Sequence, residues 1–128
     1  MVKLQEIQKE ALLKTLEELK SKGYRYLKYI TAVDAPDHME VVYLLANIES
    51  NSDEVVKVSI KKSDSERPSV ESVMNLFPAA DWYEREISEM FGIKIEGRKT
   101  RRLLLEEWNG DGFPLLKSFE WGKEYHKR

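Results

Sequence analysis

Three segments of strand-forming sequence, separated by turns of only four or five residues, constrain this chain more than any other feature. Residues 24–33 (YRYLKYITAV) are rich in aromatic and β-branched types, which favour a pleated, half-buried backbone. The turn Asp34-Ala35-Pro36-Asp37-His38 ends that segment. Residues 39–49 (MEVVYLLANIE) are apolar on both alternating faces, the pattern of a central strand. After Ser50-Asn51-Ser52-Asp53, residues 54–62 alternate. Val56, Val58 and Ile60 point one way, and Lys57, Ser59 and Lys61 the other, as on a half-solvated strand. A parallel pair needs a crossover of about a dozen residues or more, so these short turns predict an antiparallel meander.

Helices are expected around the meander. Leu4, Ile7, Ala11, Leu12, Leu16 and Leu19 recur at spacings of one, three and four, predicting an amphipathic helix over 3–22. Glu10/Lys14 and Glu18/Lys22 are i, i+4 pairs on its wet side, and Gly23 stands where a helix C-terminal glycine is expected. Downstream, Ser69 is a candidate N-cap for a short helix through Phe77, stopped by Pro78. Asp81 with Glu84 resembles a capping box opening a further helix to Phe91, which Gly92 can close. Beyond Gly92 there is no long period, yet Leu103, Leu104, Leu105, Trp108, Phe113 and Trp121 keep the segment apolar. A tail of that kind should lie across its own domain or across a partner. The expectation is therefore an α+β fold. It has an N-terminal helix, a three- or four-stranded mostly antiparallel sheet, two helices and an extended C-terminal arm. The domain is assigned to 1–96 and the docking arm to 97–128.

Composition excludes several functions. The chain has 128 residues, a net charge of −2 and no cysteine. Disulfides, thiolate metal sites, iron–sulfur ligation and thiol nucleophiles are thereby removed. No apolar run approaches the ~20 residues of a membrane span, and the N-terminus lacks a signal-peptide core. There is no Gly-rich phosphate loop and no GxSxG elbow. The two histidines, His38 and His126, have no cysteine or acidic partner at a ligand spacing and read as ordinary exposed side chains.

The stretch 81–97 (DWYEREISEMFGIKIEG) is the most informative for function. On a helix, Ala79, Tyr83, Ile87, Met90 and Phe91 form an apolar face toward the sheet. Trp82, Arg85, Glu86 and Glu89 form the opposite face as neighbours at i, i+3, i+4 and i+7. Tryptophan and arginine are over-represented among interface hot spots, so this face reads as a docking surface. Two other readings stay open: a carboxylate pair, Glu86 and Glu89, for catalysis or metal, and a plain solvated face. Lys94, Arg98, Lys99, Arg101 and Arg102 make a short basic cluster that suits an acidic helix or partner, or a polyanion.

At these residues the chain resembles the complex I thirty-kilodalton subunit family, also called the NADH-quinone oxidoreductase C subunits. The family signature is in essence E-R-E-x-x-D-M-F-G-I-x-F-x-G. Glu84, Arg85, Glu86, Met90, Phe91, Gly92, Ile93 and Gly97 match it, with Glu89 for the usual Asp and Ile95 for the usual Phe. Upstream, Thr31, Ala32, Val33, Asp34, Pro36 and Asp37, then Glu40, Val41, Val42 and Tyr43, match a second family stretch. The Gly97–Trp108 segment departs from the family by lacking its His-Pro pair. The resemblance spans roughly residues 25–116.

That resemblance implies a non-catalytic scaffold subunit in the hydrophilic arm of a membrane-bound, ion-translocating oxidoreductase. The assembly would be of the NADH/quinone dehydrogenase or energy-converting nickel–iron hydrogenase type, and a divergent version such as this suits the hydrogenase-like or archaeal branches. The subunit is expected to bind no cofactor and to be inactive alone. Its expected place is the cytoplasmic face of the cell membrane, held there by the complex. The expected partners are the large hydrogenase-like (forty-nine-kilodalton-type) subunit and the iron–sulfur small subunit. The expected interface is Trp82, Arg85, Glu86, Glu89, Arg101, Arg102 and Trp108. The alternatives are a free-standing protein-interaction adaptor and, behind it, a polyanion-binding module.

Overall fold

The computed structural model describes residues 2–63 and 67–97. The meander is present: β2 (Tyr26–Asp34), β3 (His38–Asn47) and β4 (Ser52–Lys61) pair antiparallel in sequence order. β3 is the central strand. Met39, Val41, Tyr43 and Leu45 are buried on one face, and Val42 and Ala46 on the other.

The N-terminal segment differs from the expected single helix. Residues Val2–Gln8 form β1, a 3-10 turn covers Lys9–Ala11, and only Leu12–Ser21 is α-helical (α1). β1 pairs parallel with β4, setting Leu4 opposite Val55 and Ile7 opposite Val58. Sheet pairing thus overrides a helical spacing that Leu4 and Ile7 suggest locally. α1 keeps the predicted buried line of Leu12, Leu16 and Leu19 and ends before Gly23, whose φ is +104°.

Residues 69–77 also depart from expectation, forming no helix. Ser69–Glu71 is a short strand, β5, followed by turns. It pairs parallel with β6 (Lys94–Glu96), with Val70 opposite Ile95. Val70, Val73, Phe77, Ile93 and Ile95 are all buried, so side-chain burial fixes the backbone here where local capping does not. Between these strands runs α2 (Ala80–Phe91), closed by Gly92 at φ 73°, as the sequence predicts.

The four-stranded sheet has the order β1-β4-β3-β2. Both helices and the β5–β6 pair contribute to one core with Met39, Val41, Tyr43 and Leu45 of β3 and Val56, Val58 and Ile60 of β4. All described helices therefore lie on one face of a mostly antiparallel sheet, an α+β arrangement.

Candidate functional site: the outward face of α2

Asp81 does not cap α2. Ala79 occupies the cap position without a side-chain bond, and the helix begins at Ala80. Asp81 sits in the first turn, where a negative charge complements the helix dipole. It accepts two hydrogen bonds from Arg85, Nε to Oδ1 at 3.1 Å and Nη2 to Oδ2 at 3.2 Å. The fork fixes the guanidinium plane along the helix surface.

Nor does Glu84 close a capping box. It is buried, and its carboxylate reaches back across the turn after β5. Oε1 accepts the Ser72 hydroxyl at 2.7 Å and Oε2 accepts the Val73 N–H at 2.7 Å. The helix is thus pinned to the β5 turn by a carboxylate that its spacing from Asp81 would assign to the helix N-terminus. The face toward the core keeps Tyr83, Ile87 and Phe91 of the expected set, with Ala80 in the place expected for Ala79. Ala80 and Ile87 are fully buried, with Tyr83 and Phe91 packed against the core, while Ala79 is exposed.

Away from the core, Trp82 is 50% exposed. Arg85 and Glu86 are half-buried beside it. Glu89 lies about half a turn round the helix from Ile87, on the outward side as expected, but it is buried at 6% exposure and engaged within the chain. A helical wheel gives a side chain's direction, not what covers it. The accessible part of the expected face is therefore Trp82, Arg85 and Glu86. Arg101, Arg102 and Trp108, the rest of the basic cluster after Gly97, and the docking arm lie outside the described residues.

No catalytic constellation emerges elsewhere among the described residues, and no cluster of three or more His, Asp and Glu side chains there is placed to hold a metal ion. His38 is not an idle side chain. Nδ1 lies 2.7 Å from Asp37 and Nε2 lies 3.2 Å from Glu40. These hydrogen bonds, Asp37 first and Glu40 second, raise the pKa of the imidazole above its ordinary value. Open hollows are lined by described residues. One of about 470 Å³ is lined by Lys22, Arg25, Tyr26 and Asn47, and one of about 400 Å³ by Leu13, Glu71, Met74 and Glu96. Neither assembles a nucleophile with a base. No helix among the described residues is long and apolar enough to cross a membrane.

Trp82 thus stands half-exposed beside an Arg85 oriented by Asp81, two residue types that are over-represented among interface hot spots. Comparison with known proteins agrees with the motif reading. Residues 5–125 match the family described as respiratory-chain NADH dehydrogenase, 30 Kd subunit. The chain belongs to this family. It is 34% identical to the NADH-quinone oxidoreductase C subunit of Neorickettsia sennetsu over 113 residues, 86% of this chain and 59% of that protein. To the corresponding protein of Rhodopseudomonas palustris it is 38% identical over 101 residues, covering 75% of this chain and 48% of the relative. The chain thus spans about half the length of the curated relatives it matches. Among solved structures, a chain of the membrane-bound sulfane sulfur reductase, an archaeal respiratory membrane complex, aligns with a TM-score of 0.79 at 26% identity. That alignment covers 94% of this chain and 74% of the other. A trypsin-resistant fragment of Nqo5 shares the fold, with a TM-score of 0.69 at 24% identity over 77% of this chain and 81% of the fragment.

Proposed function

We propose that this family member is a non-catalytic scaffold subunit in the hydrophilic arm of a complex I-like, membrane-bound oxidoreductase. The observation that carries the reading is the outward face of α2, with Trp82 half in solvent next to an Arg85 held flat by Asp81. An aromatic ring and a pre-oriented guanidinium are anchors that bind at low entropic cost. The family match and the likeness to a subunit of an archaeal respiratory membrane complex support a place in an assembly of that kind.

In this reading the face Trp82–Arg85–Glu86, backed by buried Glu89, docks on a large hydrogenase-like subunit beside an iron–sulfur small subunit. Arg101, Arg102 and Trp108 of the arm 97–128 extend the contact. The chain supplies position, not chemistry, and the assembly holds it at the cytoplasmic face of the membrane. A tagged pull-down from gently solubilised native membranes, with mass spectrometry of every co-purifying chain, tests this. Recovery of a hydrogenase-like large subunit and an iron–sulfur subunit is the expected result. Recovery of this chain alone in the soluble fraction would overturn it in favour of a free-standing adaptor.

A further inference from the structure

The two edges of the sheet are built differently. Along β2 the register shifts between Leu27 and Tyr29, α2 packs against the strand, and the Tyr83 hydroxyl donates to the Lys28 carbonyl oxygen at 2.6 Å. A bulge and a covering helix are two of the usual ways in which an edge is kept from pairing. β1 has neither of these among the described residues. Its register with β4 runs unbroken from Val2↔Asp53 to Gln8↔Ser59, and it contains neither proline nor glycine. Along its other side no described strand pairs with it. Among the described residues, one row of its backbone N–H and C=O groups is therefore left without a ladder.

The side chains extend the same feature. On the sheet face away from the helices, the register aligns Leu4, Val55, Leu44 and Tyr29 in one row across all four strands. Val55 and Leu44 are half-buried, while Leu4 at the open edge is 57% exposed and Val2 beside it 65%. In the next row Glu6 stands opposite Lys57, but Lys57 lies 3.9 Å from Glu40 on the far side. The open edge thus offers an apolar position and, two residues on, an acidic one.

We propose that β1 takes an extended strand from another subunit of the assembly, which adds to the sheet as a fifth strand. The occupant carries an apolar residue opposite Leu4 and a lysine or arginine opposite Glu6, two positions apart in its own sequence. Charge selects this occupant over a second copy of the chain. Directly opposed residues share a face, so a self-paired β1 sets only Val2, Leu4, Glu6 and Gln8 against one another on this side. None of these is basic, and Lys3 belongs to the other face opposite Glu54. The proposal rests on the scaffold reading, since it needs an assembly to supply the strand.

The test is residue-resolved amide hydrogen exchange on the full chain, alone and within the complex purified from membranes. The β1 amides bonded to β4 serve as the internal control. The expected result is that the remaining β1 amides exchange freely in the isolated chain and slow at least ~100-fold in the complex. Leu4→Lys should reduce co-purification several-fold, while Leu13→Lys, on α1, should not. Fast exchange of those amides in a recovered complex overturns the strand addition and leaves the scaffold reading standing. Failure to recover any complex overturns both. Protection already present in an isolated chain that runs as a dimer assigns the edge to a second copy and overturns the partner strand.

Discussion

Glu84 of α2 accepts the Val73 N–H at 2.7 Å, eleven residues back along the chain, and its other oxygen holds Ser72. This joins the helix that carries the docking face to the turn leaving β5. Glu84 is only 1% exposed, so its removal leaves a buried amide without its acceptor. Glu84→Ala should destabilise the fold by about 3 kcal/mol, and Ser72→Ala by about 1 kcal/mol. Urea denaturation followed by circular dichroism measures both. Equal effects of the two substitutions would mean that the Val73 bond contributes nothing.

Tyr43 points to the opposite sign. Its ring is fully buried in β3, and its hydroxyl finds no hydrogen-bond partner among the described residues. Burial, with the negative charge of Glu84 as the second cause, pushes the phenol pKa far up. The hydroxyl thus stays neutral at any working pH. Tyr43→Phe keeps the ring and should raise stability by about 1 kcal/mol. A loss of stability on thermal melting would show that the hydroxyl is satisfied in solution.

How legible these features are in the sequence depends on their range. The β2–β3–β4 meander is readable because strand alternation and short turns are local. So is the end of α2, because Gly92 alone among neighbouring residue types reaches φ 73° without strain. The strands β1 and β5 are not. Each pairs parallel with a partner far along the chain, β1 with residues 53–59 and β5 with 94–96, and no local pattern encodes that partner. Within α2, Trp82 and Arg85 are readable as outward because the wheel fixes direction. The burial of Glu84 is not, since charged residues are rarely buried unless paired and its partners, Ser72 and Val73, come from outside the helix.

The Asp81–Arg85 pair separates docking from folding. It is an i, i+4 pair with side chains 41% and 28% exposed, so it adds only about 0.3–0.5 kcal/mol to stability. Arg85→Ala should leave the melting temperature almost unchanged and lower the yield of assembled complex. Trp82→Ala should likewise spare the fold and weaken association by about 2 kcal/mol, the scale of a hot-spot residue. Melting curves beside quantitative pull-downs decide it. Normal complex yield from both variants would remove α2 from the interface.

The β2–β3 turn should respond to pH in a defined window. His38 bonds Asp37 first and Glu40 second, which raises its pKa above the ordinary 6.5. Its stabilising contribution is therefore complete below 6.5 and is lost as pH rises through the raised value. Asp37 is shifted the other way, chiefly by its hydrogen bond to His38, to below 3.8. Its contribution is present above 3.8 and is lost as pH falls through the depressed value. Both act together between 3.8 and 6.5. Lys57 lies 3.9 Å from Glu40 and the charge of Lys62 acts on Asp37 as the smallest of its causes, so these lysines hold part of the group in place once the imidazole is neutral. The denaturation midpoint should be higher at about pH 5.5 than at about pH 8.5, and His38→Asn should flatten that difference. An NMR titration placing the His38 midpoint at or below 6.5 would contradict the geometry of the turn.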